Sequence, residues 1–335
     1  CKAFRISPCA YIPHHVTSLC WVYANLQELI GRRMKDARGH SLGLAAALAT
    51  VAIWAVFLLG TRSAVSGKFT VEEVLVLRLG TASLITLPFM LKLGVVLRGQ
   101  NLIGTFMLTV GASAIFPYVI STGLFYAPAS DAGALAPGML PFWTALFAVL
   151  LAGEKLSRLR LTGLTMILGG AVLIGLWQII SGSDPNAWKG HLLFLLGSCL
   201  WAVYSVYFRQ SGLSPVHGLV IGLFWGTLGL MPFLLWTEKV NFSTVSAPDI
   251  VYMAVLQGVI IAVLALVLYS FAVRKLGAAQ TAAFGALTPV LALIGGAVFL
   301  NETITFVKII GVLLVAIGVV MASGSLERRP ISDAV

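Results

Sequence analysis

The chain has 335 residues, of which 59% are hydrophobic and only 10% charged, and its mean hydropathy is +0.97. A soluble domain carries roughly 25% charged residues, so a soluble enzyme or nucleic-acid-binding module is excluded as the body of the chain; long apolar runs without period-two alternation also exclude an outer-membrane barrel. The formal charge of +10 is scattered between apolar segments, which makes it a set of orienting loop lysines and arginines with no nucleic acid implied.

Residues 1–41 read as a tail. The segment 1–33 begins with Cys1, contains His14 and His15 and lacks a signal-peptidase pattern. Met34 is followed by "KDARGHSLGLAAALA", an ordinary approach to a first membrane helix. We therefore expect Met34 to be the start and 1–33 to be upstream translation, the alternative being a short cytoplasmic or interfacial segment. The four cysteines, Cys1, Cys9, Cys20 and Cys199, match no zinc spacing and no disulfide framework. A membrane helix needs about 20 mostly apolar residues, and ten such stretches follow: 42–61, 72–91, 102–124, 128–152, 159–178, 190–209, 214–236, 249–273, 277–300 and 304–323. Short connections make neighbours antiparallel and leave no room for an independent soluble domain. Residues 324–335 form a second tail.

Lysines and arginines on alternate sides divide 16 to 5, with Arg78 left inside the second helix. The excess places both termini in the cytoplasm, with the inner membrane as the location. Trp177, Trp188, Trp236 and Tyr252 then fall at the outer interface, where aromatic residues gather.

The chain also repeats itself. At an offset of 148, Pro141 falls on Pro289, Glu154 on Glu302, Gly163 on Gly311 and Gly170 on Gly318; at 147, "IWAV" (53–56) meets "LWAV" (200–203) and Arg62 meets Arg209. Two five-helix repeats, 42–178 and 190–323, follow. Because five is odd, the second enters the membrane from the opposite side, which makes an all-α integral membrane fold of ten helices in two inverted repeats. Each half has a Pro-containing helix, a short "GEKLS" or "NETIT" loop and a Gly-spaced final helix. With "WAVYSVYFR" at 201–209 and "VLRLGTA" at 76–82, this order resembles the drug/metabolite transporter superfamily, and most closely its EamA branch. The resemblance implies a ten-helix carrier of small polar metabolites whose central cavity opens to one side at a time.

The stretch "LAPGMLPFW" places Pro137, Gly138 and Pro141 in the middle of the fourth helix. Proline at position i frees the carbonyl at i−4, so Pro141 frees that of Pro137, Pro137 that of Gly133, and the repeat-mate Pro289 that of Gly285. Matching interruptions in two halves point to a transporter's binding site, and we expect these five residues to contact the solute. Local kinks satisfied by neighbours are the structural alternative. Trp54 and Trp201 are repeat-mates at mid-depth, unusual for tryptophan, and would wall the cavity; Tyr118 and Tyr204 would add hydroxyls. Arg78 lies about 9 Å into its helix at 1.5 Å per residue. It would meet a solute carboxylate or phosphate, or else pair with Glu72, Glu73 or Asp131 or snorkel outward. Asp131 is the proton-coupling candidate, its alternative being an exposed helix-start acid, and His191 reads as interfacial. Glu154 and Glu302 read as symmetric caps or loop braces. The glycines of the fifth and tenth helices (Gly163, Gly169, Gly170, Gly175; Gly311, Gly318) offer a packing surface or a homodimer seam.

These readings combine into a secondary transporter of a small polar or amphipathic metabolite, an amino acid, related compound or drug, working by alternating access and in the direction of export. Its partners are that solute and the lipid bilayer; no cofactor, metal or catalytic residue is called for. The alternatives are an intramembrane enzyme, which would need clustered acid, base or arginine groups, and a passive channel.

Overall fold

The computed structural model describes residues 17–95, 104, 106–107, 109–181 and 184–327. The helices are α1 (Thr17–Val65), α2 (Val71–Leu93) and α3 (Thr109–Tyr126). Next come α4, split into Ala129–Leu135 and Leu140–Ala152, α5 (Arg158–Ser181), α6 (Ala187–Ser211) and α7 (Pro215–Trp236). The last are α8 (Ala247–Leu276), α9, split into Ala278–Phe284 and Leu287–Leu300, and α10 (Phe306–Ala322). Among the described residues nine helical segments are long and apolar enough to cross a membrane, the first of them Gly39–Val65. The tenth, α10, is a shorter apolar helix, whose start is set by Thr305 accepting from the Lys308 amide. From Thr17 onward the expected tail continues in the same helix as the first span. Residues 1–16 and 328–335, and the expected start of the third span at 102–103, lie outside the described residues.

We call the face carrying the 66–70, 127–128 and 301–305 connections the upper face, and the face carrying 153–157 and Gly277 the lower face. The distribution of side chains is inverted relative to a soluble protein. Leu91, Ile180, Trp236 and Phe299 are exposed, whereas Glu72, Glu73, Arg78, Asp131, His191, Gln257 and Lys308 are buried. Such an arrangement suits a hydrocarbon solvent, in which polar groups must find partners inside.

The duplication read from the sequence is a symmetry of the packing. The three pairs α2–α7, α4–α9 and α5–α10 each join a helix to its own repeat-mate. Contact of α1 with α8 is matched by α6 with α3, α1 with α9 by α6 with α4, and α2 with α8 by α7 with α3. Exchanging the halves therefore maps these principal contacts onto one another. Both copies of the third helix also contain a wide π-helical turn, Thr109–Ser113 in α3 and Val255–Leu264 in α8. Both broken helices end on a left-handed residue, Gly153 (φ 63°) and Asn301 (φ 53°). The next amide then closes back six residues, Glu154 N to Ala148 O at 3.2 Å and Glu302 N to Gly296 O at 3.0 Å.

The glycine rows serve inside the chain. A β-carbon at Gly170 would lie 2.5 Å from the Gly311 carbonyl oxygen, and one at Gly318 2.6 Å from that of Gly163. These four glycines are the α5–α10 crossing itself, the packing surface read from the sequence. Gly169 and Gly175 point away, with nothing within 4 Å of an added β-carbon.

Candidate functional site

Three polar assemblies occupy the interior. The first closes the upper end of α4. Asp131 is 1% exposed; its Oδ1 lies 2.7 Å from Lys308 Nζ of α10, and its Oδ2 is 3.0 Å from His191 Nε2 of α6. Lys308 also reaches Ser130 Oγ at 3.4 Å. The Glu302 carboxylate accepts from the amides of Ala129 (2.7 Å) and Ser130 (2.9 Å), taking two of the amides that a helix start leaves unpaired. Asp131 is thus a buried ion-pair member, not an exposed helix-start acid. His191 is buried at 6% exposure, which corrects its interfacial reading: the carboxylate draws the ring inward. Lys308, counted as a surface orienting charge, belongs to the same cluster.

The second assembly surrounds Arg78. Its Nη1 donates to Gln257 Oε1 at 3.1 Å, Gln257 Nε2 donates to Thr61 Oγ1 at 2.8 Å, and the guanidinium sits 5.2 Å from the centre of the Phe57 ring. None of the three carboxylates considered as its partner reaches it. Glu72 pairs with Lys239 at 3.1 Å, Glu73 accepts from the amides of Thr70 and Asn241 in capping α2, and Asp131 is held as described. Gln257 escaped the sequence reading because a lone amide in an apolar run carries no charge signal. Gly111 and Gly258, 147 apart and each within a π-helical turn, were the mark that could have directed attention there.

The third is aromatic. Trp201 lies 4.7 Å from Phe116 and 5.5 Å from Tyr204, and Tyr204 stacks at 5.6 Å on Phe208. Its repeat-mate Trp54 has a different aromatic partner, Tyr269, at 5.5 Å. Trp201 and Tyr204 are thus brought together, and Trp54 stands in another contact.

The breaks in α4 and α9 correct one expectation. The Gly133 carbonyl accepts from the Gly138 amide (3.2 Å), that of Pro137 from Leu140 (3.3 Å), and that of Gly285 from Thr288 (3.0 Å). The carbonyls released by Pro137, Pro141 and Pro289 are therefore taken up by adjacent turns, the usual remedy for a proline in a membrane helix. What the breaks do provide is a close crossing: a β-carbon at Gly133 would lie 3.0 Å from Pro289 Cα and 2.6 Å from Ala292 Cβ.

A cavity of about 620 Å³ opens among Glu72, Glu73, Tyr118, Thr122, Tyr126 and Lys239 near the upper face. There the neighbouring Glu72 carboxylate holds the Lys239 ammonium above its ordinary pKa, so Lys239 stays charged throughout the neutral range. A second cavity, about 810 Å³, lies at the lower end between the first half of α9 (Gln280, Phe284) and the end of α10 (Val320, Glu327).

An inverted pair of five-helix halves, apolar outside and polar within, with helices broken at matching positions, defines a multi-pass membrane transport protein. The EamA-like transporter family model matches residues 41–176 and again 188–324, one copy on each half. The chain belongs to that family. It is 22% identical over 241 residues to a Bacillus subtilis (strain 168) protein named "Uncharacterized transporter YcxC", spanning 70% of this chain and 77% of that one. It is 31% identical over 196 residues to the Pseudomonas aeruginosa protein PA1977, spanning 57% of this chain and 64% of the other. A solved structure titled "Crystal structure of protein" superimposes with a TM-score of 0.58 at 19% identity, covering 84% of this chain and 98% of that one; at that identity the likeness concerns the fold.

Proposed function

We propose that this transporter is a secondary carrier of a small polar or amphipathic metabolite, an amino acid or a related compound, that exports it across the bacterial inner membrane by alternating access. The lower face is the cytoplasmic one in this reading. The observation that carries the reading is an inequality between two equivalent ends. The upper half of α4, Ala129–Leu135, is buried at every residue. In its repeat-mate, the lower half of α9, Thr281 alone is buried, and Ala278 and Ala279 are exposed. Glu302 caps the first, whereas Glu154, presented by the same backbone turn, is exposed. Inverted repeats with identical local geometry and unequal packing are what a carrier halted at one end of its cycle should have. Asp131 is the coupling group in this scheme: opening the upper end parts it from Lys308 and His191, and a carboxylate stripped of both partners in a dry setting takes up a proton.

Single cysteines at Ser130 and at its repeat-mate Ala278, in a background with the native cysteines changed to serine, test this with a membrane-impermeant maleimide admitted to both faces of permeabilised membranes. S130C is expected to be protected and A278C reactive. Adding E302Q should raise labelling of S130C and lower that of A278C together, whereas E154Q should leave S130C protected. If E302Q exposes S130C without shielding A278C, the cap is a local brace and the alternation fails.

A further inference from the structure

Arg78 carries its charge into the interior of the bundle, and among the described residues no carboxylate lies within 4 Å of it. It is 9% exposed, and Gln257, its hydrogen-bond partner, is fully buried. Arginine keeps its proton in proteins, so this charge does not disappear by titration, and a buried cation without a counter-ion is costly. The nearby acids are committed elsewhere: Glu72 to Lys239 and Glu73 to the start of α2. The contacts that Arg78 does make are neutral and arranged in series, from Arg78 to the Gln257 oxygen and from the Gln257 nitrogen to Thr61.

The backbone is shaped to hold that series in place. Gln257 lies in the π-helical stretch Val255–Leu264, a departure from regular helix found frequently at functional sites. A β-carbon at the adjacent Gly258 would lie 2.5 Å from Thr81 Cβ. Thr81 follows Arg78 by three residues and so shares its face of α2. The missing side chain thus lets α2 press onto α8 where Arg78 meets Gln257. Phe57 covers the guanidinium from one side, which directs recognition to its edge, where a pair of N–H donors matches the two oxygens of a carboxylate.

We propose that Arg78, Gln257 and Thr61 form the binding site for a carboxylate on the transported solute. The Gln257 amide oxygen stands where a carboxylate oxygen lies when the solute is bound. One uncompensated positive charge calls for one negative charge, which favours a carboxylate over a phosphate dianion. This inference rests on the carrier reading above and supplies the chemical class of its solute.

The test is thermal unfolding of the full-length protein in detergent against amino acids and short monocarboxylates, each paired with its neutral amide, and against inorganic and methyl phosphate. At least one carboxylate should raise the Tm while its amide does not. R78Q should lower the apparent affinity for that carboxylate by about tenfold or more, and R78K should retain part of it. Q257E gives the arginine an internal anion, so it should raise the Tm of the ligand-free protein and abolish the carboxylate response. The proposal is overturned if Q257E lowers the ligand-free Tm, if no carboxylate acts, if amides or phosphates act equally well, or if R78Q responds as the wild type does. The paired labelling of S130C and A278C uses no solute. Correct labelling with no carboxylate response therefore removes this proposal alone, whereas failed labelling removes the carrier reading beneath it.

Discussion

Asp131→Ala is expected to lower the stability of the folded protein by about 3–5 kcal/mol. Among the described residues the carboxylate is the only anion in contact with Lys308 and His191, which are 6% exposed each. Its removal leaves a buried ammonium facing Ser130 alone. Lys308→Met should be costly for the opposite reason, leaving a buried carboxylate with only the imidazole. The double variant D131A/K308M, which removes both charges, should lose much less than the sum of the singles. Unfolding in mixed micelles at increasing denaturing-detergent fraction reads all three. A D131A protein within about 1 kcal/mol of wild type would show that the pair contributes no more than a surface salt bridge.

At the α5–α10 crossing the expected order of cost is Gly170→Ala, then Gly311→Ala, with Gly169→Ala neutral or stabilising. The atom met by a new methyl decides the order. At Gly170 it is the Gly311 carbonyl oxygen at 2.5 Å, part of a backbone that moves only if the helices separate; at Gly311 the nearest atom is Ile174 Cγ1 at 2.6 Å, on a side chain that can rotate. Overpacking of the first kind costs about 1–3 kcal/mol, and Gly170→Leu should exceed that and impair folding. Gly169 meets nothing within 4 Å, so alanine there adds only helix propensity, up to about 1 kcal/mol. The same unfolding assay checks the order, and equal costs at Gly169 and Gly170 would refute the seam as the cause.

Comparing residues shows which parts of this arrangement a linear reading can reach. The duplication was legible because Pro141 and Pro289, Glu154 and Glu302, and the seam glycines keep one offset, and equal spacing requires no knowledge of contacts. Membrane helices were legible from length and composition. Partnerships across the bundle were not: Asp131 and Lys308 lie far apart in sequence, and Lys308 in isolation looks like any lysine near a helix start. His191 misled in the same way. The prolines are legible as interruptions, but the fate of the carbonyls they release is not: nearby turns close on Gly133, Pro137 and Gly285, and such closure depends on backbone angles that composition does not encode. Arg62, counted as an orienting charge, in fact donates to the Leu124 and Phe125 carbonyls at the end of α3. Gln257 is invisible to such a reading for want of charge, although among the described residues it gives Arg78 its only hydrogen bond.

The upper cluster has no counterpart at the lower end. At the repeat offset Asp131 becomes Ala279, Ser130 becomes Ala278, and Lys308 becomes Arg160, whose guanidinium is turned to the Ala322 carbonyl. A perfectly duplicated carrier would divide its time equally between its two orientations. If the protein alternates as proposed, an orientation holding the Asp131–Lys308 pair would be favoured over one without it, and a preference of about 3 kcal/mol would leave fewer than about one molecule in a hundred in the other. The resting population would then be one-sided before any solute arrives. A solute that reverses it must bind the rare form more tightly by at least that margin, so the two membrane faces should differ in apparent affinity even if the binding residues are the same from either side.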